Sequence, residues 1–121
     1  LWLDGGHNAA AGETLATVAE DWRDSALHLV FGMLNSRAPT DFLRPLATLA
    51  SGLHGVAIPN EEASLSSSEA TEAGRAVGIS AEPSVGVAEA IKTIVQQNAA
   101  PGRILICGSL YLAGQVLAEN S

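Results

Sequence analysis

The stretch ALHLVFGM, residues 26–33, decides how this chain folds. Its almost unbroken apolar character is typical of a β-strand that is covered on both faces, as in a parallel sheet. Shorter apolar runs occur before and after it, and each of them predicts another strand. The predicted strands are residues 1–3, 26–33, 53–58, 79–82 and 103–107.

Helices are predicted between the strands, because apolar residues recur there at the spacing of an amphipathic helix. Thr40, Ser66 and Ser84 are the predicted N-caps, Ser66 with Glu69 fits a capping box, and Pro45 is expected to limit or bend its helix. The predicted helices are residues 10–23, 41–50, 85–97 and 109–119, with one more between Ser66 and Gly78.

This alternation of strand and helix implies right-handed crossovers. We predict an α/β fold, a Rossmann-like three-layer domain with a mostly parallel sheet of about five to six strands and helices on both faces. A length of 121 residues suits a single domain, residues 1–121. The chain starts within a strand-like run and without Met, so we expect a domain cut from a longer chain.

Charge and composition exclude several partners. The net charge is −7, Lys and Arg together number 6, and Lys92 is the only lysine. Nucleic acids and anionic membranes need clustered cations, so neither is an expected partner. No apolar run approaches the roughly 20 residues of a membrane-spanning helix. Cys107 is the single cysteine, which excludes a disulfide framework and favours a reducing, cytoplasmic setting.

Polar residues follow the predicted first strand directly, as Asp4, Gly5, Gly6, His7 and Asn8. Parallel strands end at one edge of the sheet, where ligands bind in open α/β folds. Asp4 can hold a ribose diol or an amine, and equally it can cap the next helix. The glycines permit close approach of a ligand to the backbone. His7 can pair with an anion or pack structurally, and Asn8 is most simply an N-cap.

The predicted last strand runs into GSLYLAG, residues 108–114, at the same edge. Ser109 would sit at a helix N-terminus, where unpaired N–H groups bind anions, although an ordinary N-cap fits equally. Tyr111 lines the cleft or packs, and Arg37 is a possible anion contact or a solvated loop residue. His28 and His54 fall in strands and are expected to be satisfied interior residues. No metal-ligand spacing, P-loop or GxGxxG pattern occurs.

DGGHN at residues 4–8 and GSLY at 108–111 together resemble the C-terminal domain of bifunctional folylpolyglutamate synthase/dihydrofolate synthase, in the Mur ligase superfamily. The family writes the first motif DGAHN, so Gly6 replaces Ala. The family's acidic and lysine-bearing stretch after the second strand is replaced here by Asn35, Ser36, Arg37, Ala38 and Pro39.

The resemblance implies an ATP-dependent ligase that adds L-glutamate to dihydropteroate or folates through an acyl phosphate. ATP and Mg would be held mainly by an N-terminal ATPase domain that this chain lacks, so the isolated chain should be inactive and should contain no catalytic residue. The implied nucleotide contacts are Asp4, Gly5, Gly6 and His7, and the implied glutamate contacts are His7, Ser109 and Tyr111. The alternatives are a Mur-type ligase of peptidoglycan precursors and a non-catalytic α/β domain that binds a nucleotide or a protein.

Overall fold

A five-stranded sheet organises the described part of the chain in this computed structural model. The structure describes residues 2–3, 13, 16–17, 26–35, 38–59, 61–97 and 102–108. All neighbouring strands are parallel, and their order across the sheet is β1-β5-β2-β3-β4. The strands are β1 (Trp2–Leu3), β2 (Ala26–Phe31), β3 (Gly52–Gly55), β4 (Ala81–Pro83) and β5 (Gly102–Cys107).

The central strand β2 confirms what its sequence predicts. It pairs with β5 on one side and with β3 on the other, and Leu29, Val30 and Phe31 are completely buried. A strand in this position needs apolar side chains on both faces, which explains its unbroken apolar run. The strand ends at Phe31, earlier than the predicted Met33, although Met33 is also buried.

Helices cover both faces of the sheet. On one face lie α1 (Pro39–Leu43) and α2 (Ser67–Ala76), and on the other lies α3 (Val87–Gln97). The rings of Phe31 and Phe42 stack on the first face with centroids 5.9 Å apart. Ile94 packs on the second face with the cluster that contains Val30 and Ile106. The predicted α/β architecture, with a parallel sheet between two helical layers, is therefore confirmed.

The capping signals are confirmed for α2. The Ser66 side chain accepts a hydrogen bond from the Glu69 backbone N–H at 3.0 Å, and the Glu69 carboxylate accepts one from the Ser66 N–H at 2.9 Å. Gly78 follows the helix with φ +89°, a conformation that glycine adopts without strain. The Ile79 N–H then donates to the Gly74 carbonyl at 3.0 Å, so Ile79 helps to end the helix and β4 begins only at Ala81.

Two other helix predictions are wrong in detail. The predicted helix over residues 41–50 begins at Pro39, with Ala38 rather than Thr40 at its N-cap, and becomes a 3₁₀ turn at Arg44–Leu46. Pro45 has no N–H to continue the α-helical pattern, which explains the change. Ser84 does not cap the next helix. Its hydroxyl donates to the Gly86 carbonyl at 3.4 Å, and α3 starts at Val87.

The remaining boundaries shift modestly. β3 ends at Gly55, before the predicted end at Ile58, and β5 begins one residue earlier than predicted, at Gly102. Glu13 and Thr17 have helical backbone, as a helix over residues 10–23 requires, whereas the predicted last helix lies outside the described residues. No helix in the described segments is long and apolar enough to span a membrane.

Candidate functional site

The carboxyl ends of the first and last strands lie side by side. Leu3 is the register partner of Ile106, and Phe31 is the register partner of Cys107. Three strands, β1, β5 and β2, therefore end next to one another at one edge of the sheet. In open α/β sheets this edge is where ligands bind.

The predicted site residues are the continuation of the chain from these strand ends. Leu3 is the last described residue before the DGGHN motif, and Gly108 is the last before the rest of GSLY. The side chains themselves lie outside the described residues, so their predicted roles stay predictions. The residues concerned are Asp4, Gly5, Gly6, His7, Asn8, Arg37, Ser109 and Tyr111.

Gly108, the first residue of the GSLY motif, is held tightly against the end of β2. Its φ is +108°, and a Cβ at this position would clash with the Gly32 carbonyl oxygen and lie 2.9 Å from a ring carbon of Phe31. The Gly32 N–H donates to the Cys107 carbonyl at 3.3 Å, which draws the two strand ends together. Only glycine can adopt this positive φ while its Cα lies so close to the Gly32 carbonyl. The packing of the strand ends therefore explains why the GSLY motif begins with glycine.

The loop after β3 supports the segment that follows β2. Leu34 and Ser64 form an isolated antiparallel bridge, and the Leu65 N–H donates to the Met33 carbonyl at 2.8 Å. The Ser64 hydroxyl accepts from the Ile58 N–H at 2.8 Å. The antiparallel bridge fixes the start of the loop that leads towards Arg37.

The carboxyl end of β3 is closed by α2. A Cβ on Gly55 would lie 2.6 Å from both the Ser67 carbonyl oxygen and the Thr71 backbone nitrogen. The Thr71 hydroxyl donates to the Ser67 carbonyl at 2.7 Å, and Thr71 is buried. No ligand fits between Gly55 and this helix.

A cavity of about 260 Å³ lies at the opposite, amino-terminal end of the sheet. It is lined in part by His28, His54 and Glu82. His28 Nε2 and both ring nitrogens of His54 are buried and have no hydrogen-bond partner within the described part of the chain. Burial, with the nearby His54, lowers the pKa of His28 below its usual value. The prediction that these histidines have hydrogen-bond partners is therefore wrong. The sequence places them in strands, but it does not show which groups lie near their ring nitrogens.

Comparisons with known proteins identify the fold. No family model matches the sequence, and no curated protein matches it. Among solved structures, E. coli FolC in complex with DHPP and ADP superposes with a TM-score of 0.82 at 20% identity, over 98% of this chain. The chain has the fold of a folylpolyglutamate synthase domain. The chain spans 28% of the length of that FolC chain.

Other folylpolyglutamate synthases superpose equally well. The bifunctional folylpolyglutamate synthase/dihydrofolate synthase from Yersinia pestis, complexed with AMPPNP and Mn ion, gives a TM-score of 0.82 at 20% identity. It matches 98% of this chain and 28% of its own. Mycobacterium tuberculosis folylpolyglutamate synthase, complexed with ADP and AMPPCP, gives 0.82 at 22% identity, over 96% and 28% of the two chains. The resemblance drawn from DGGHN and GSLY thus agrees with the fold.

Proposed function

We propose that this chain is one domain, residues 1–121, of a longer ATP-dependent ligase. The ligase adds L-glutamate to dihydropteroate or folates through an acyl phosphate, and this domain contributes contacts to the nucleotide and the glutamate. Several solved structures that share the fold are complexes with ADP or AMPPNP, and one of them also has L-glutamate bound; this chain spans 28% of the length of each. An ATPase domain in the same cytoplasmic protein would make most of the contacts to ATP.

The adjacency of β1 and β5 carries this proposal. Asp4 follows Leu3 by one peptide bond, and Ser109 follows Gly108. Because Leu3 and Ile106 are register partners, both motifs leave the sheet from neighbouring strands. Residues that are far apart in sequence would then contribute to one binding surface. Similarity of the fold alone, without this adjacency of β1 and β5, would not support a shared binding site for the two motifs.

Each predicted residue has a role that suits its chemistry. The Asp4 carboxylate accepts hydrogen bonds from the ribose hydroxyls, while Gly5 and Gly6 let the backbone approach the nucleotide. His7 and Ser109, with Tyr111, orient glutamate so that its amine lies near the acyl phosphate, where proximity lowers the barrier. Arg37 is a further contact for an anionic group.

Magnesium would be held elsewhere in the ligase. In the ranges that the structure describes, no three His, Cys, Asp or Glu side chains lie close enough together to hold a metal ion. The net charge of −7 also disfavours binding of a triphosphate by this chain alone. We propose that another domain of the ligase provides the cations that bind the triphosphate.

Steady-state kinetics of the complete ligase test the proposal. Asp4→Asn should raise the KM for ATP by about tenfold or more, because a charged acceptor for the ribose is lost. Ser109→Ala should instead raise the KM for glutamate. The matched control is Asp41→Asn, an exposed carboxylate on α1. Unchanged KM values in both site variants, or turnover only with a peptidoglycan precursor, would contradict the proposal.

A further inference from the structure

The chain segments that follow β2 and β3 pair with each other beyond the carboxyl edge of the sheet. Residues 33–35 and residues 63–65 form a short antiparallel ladder, with the bridge between Leu34 and Ser64 at its centre. Two backbone hydrogen bonds flank the bridge, from the Asn35 N–H to the Ala63 carbonyl at 2.6 Å and from the Leu65 N–H to the Met33 carbonyl at 2.8 Å. The path of the chain after β2 is therefore set by residues that follow β3.

The ladder begins in the core and ends at the surface. Met33 and Leu65 are buried, and both belong to the core cluster that α1 and α2 cover. Asn35, at the other end of the ladder, is exposed. The ladder thus connects the well-packed core to the surface at residue 35.

The Ser64 hydroxyl holds the ladder in place. It accepts a hydrogen bond from the Ile58 N–H at 2.8 Å and donates one to the Leu65 carbonyl at 2.7 Å. Ile58 is buried in the core cluster on the face that α3 covers, so the hydroxyl ties residues 63–65 to that face as well. Because a hydroxyl is both a donor and an acceptor, Ser64→Ala would lose both contacts.

Residues 33–35 lie next to the proposed ligand site. They directly follow Gly32, whose carbonyl oxygen occupies the space that a Cβ on Gly108 would need. The Gly32 N–H donates to the Cys107 carbonyl, at the end of β5. A shift of residues 33–35 would therefore act through the backbone on the strand ends from which the site is built.

The ladder also lies close to Arg37 along the chain. One residue, Ser36, separates Arg37 from Asn35, and Arg37 is followed by Ala38, the N-cap of α1. The Ala38 carbonyl accepts a hydrogen bond from the Phe42 N–H at 3.2 Å. Hydrogen bonds thus hold the backbone on both sides of Arg37, in the ladder before it and in α1 after it.

We propose that Ser64 is a positioning residue of the ligase, whose hydroxyl holds the ladder where Arg37 can bind an anionic group of a substrate. Ser64 does not touch the substrate itself and acts through the backbone of residues 33–35. The anionic group is a phosphate of ATP or a carboxylate of glutamate. This inference rests on the ligase function proposed above, in which Arg37 contacts an anionic group.

Steady-state kinetics of the complete ligase test the proposal, with KM measured for both ATP and glutamate. Arg37→Ala should raise one of these KM values about tenfold or more, because a charge-assisted hydrogen bond is lost. Ser64→Ala should raise the same KM about threefold or more and leave kcat within about twofold, as expected for weakened substrate binding. Ser64→Thr keeps the hydroxyl and should retain the wild-type KM.

Ser84→Ala is the matched control. Ser84 also follows a strand at the carboxyl edge, and its partly buried hydroxyl donates to the Gly86 carbonyl at 3.4 Å. It lies outside the ladder, so the loss of its hydroxyl should leave both KM values unchanged.

A double-variant cycle separates a positioning role from a general loss of stability. In the Arg37→Ala background, Ser64→Ala should raise the KM no further, because both residues act through one contact. Asn35→Pro removes the N–H that donates to the Ala63 carbonyl and breaks the ladder without changing Ser64. It should raise the same KM, and if Ser64→Ala does not fold, an unchanged KM in Asn35→Pro overturns the proposal.

Three other results would overturn the proposal: unchanged KM values in Arg37→Ala, additive effects of Ser64→Ala and Arg37→Ala, or equal effects of Ser64→Ala and Ser84→Ala. Failure of the ligase function itself is recognised separately, by unchanged KM values in Asp4→Asn and Ser109→Ala. Raised KM values in those two variants, with no effect of Ser64→Ala, would overturn the role of Ser64 alone.

Discussion

The carbonyl oxygen of Gly32 occupies the space that a Cβ on Gly108 would need. This contact joins the end of β2 to the end of β5, and it holds the first residue of GSLY at the edge where the proposed site lies. The chain leaves the sheet there with φ +108° at Gly108. Structure and proposed function therefore depend on the same glycine.

Gly108→Ala should lower the free energy of unfolding by about 2–4 kcal/mol, because the new methyl group meets backbone and forces a strained φ. Urea denaturation measures this change. Gly52→Ala is the matched control, since its Cβ meets only ordinary contacts and its φ needs no glycine, and it should cost less than about 1 kcal/mol. Equal effects of the two variants would contradict the close approach at Gly108.

Ser66→Ala should destabilise the protein by about 0.5–2 kcal/mol, because it removes the acceptor that caps α2. The Glu69 N–H would lose its partner at the helix start. Ser68→Ala is the control, as Ser68 is exposed within the first turn of the same helix. Thermal unfolding compares the two variants, and a larger loss for Ser68→Ala would show that the capping box does not stabilise α2.

Acid should destabilise the fold through His28. Its pKa is lowered in the folded protein because it is buried near His54, so the unfolded chain binds more protons as the pH falls below about 6.5. Stability therefore rises with pH through this range and is lost towards acidic pH. His28→Gln should flatten the dependence of the unfolding free energy on pH. An unchanged slope in the variant would contradict the assignment to His28.

The isolated chain should show no ATP-dependent ligation of glutamate, because acyl-phosphate formation requires ATP and Mg held by another domain. An assay of ADP release with dihydropteroate and glutamate checks this expectation, with the complete ligase as the positive control. Robust turnover by the 121-residue chain alone would contradict the proposed division of labour.

The layers of the fold could be predicted from the sequence because a strand that is buried on both faces consists almost entirely of apolar residues. Leu29, Val30 and Phe31 are apolar because they lie in the middle strand, and their burial follows. The capping box at Ser66 could also be predicted from the sequence, because it depends on two residues only three positions apart. These features are local, or they follow from one strand's own composition.

Features that depend on tertiary contacts could not be predicted. Ser84 has the right residue type for an N-cap, but α3 starts only at Val87. The cavity lined by His28 and Gly52 lies across two neighbouring strands, and neither residue alone predicts it. The structural role of Gly108 likewise depends on Gly32, which is distant in sequence. The order of the strands, which places β1 next to β5, could also not be predicted from the sequence.

A crystal structure of the complete ligase with AMPPNP, magnesium and L-glutamate tests the central claim most directly. The account predicts that the Asp4 carboxylate lies within about 3.2 Å of a ribose hydroxyl, with Ser109 on the same rim beside the glutamate. Asp4 and Ser109 on opposite sides of this domain, or buried away from both ligands, would contradict it.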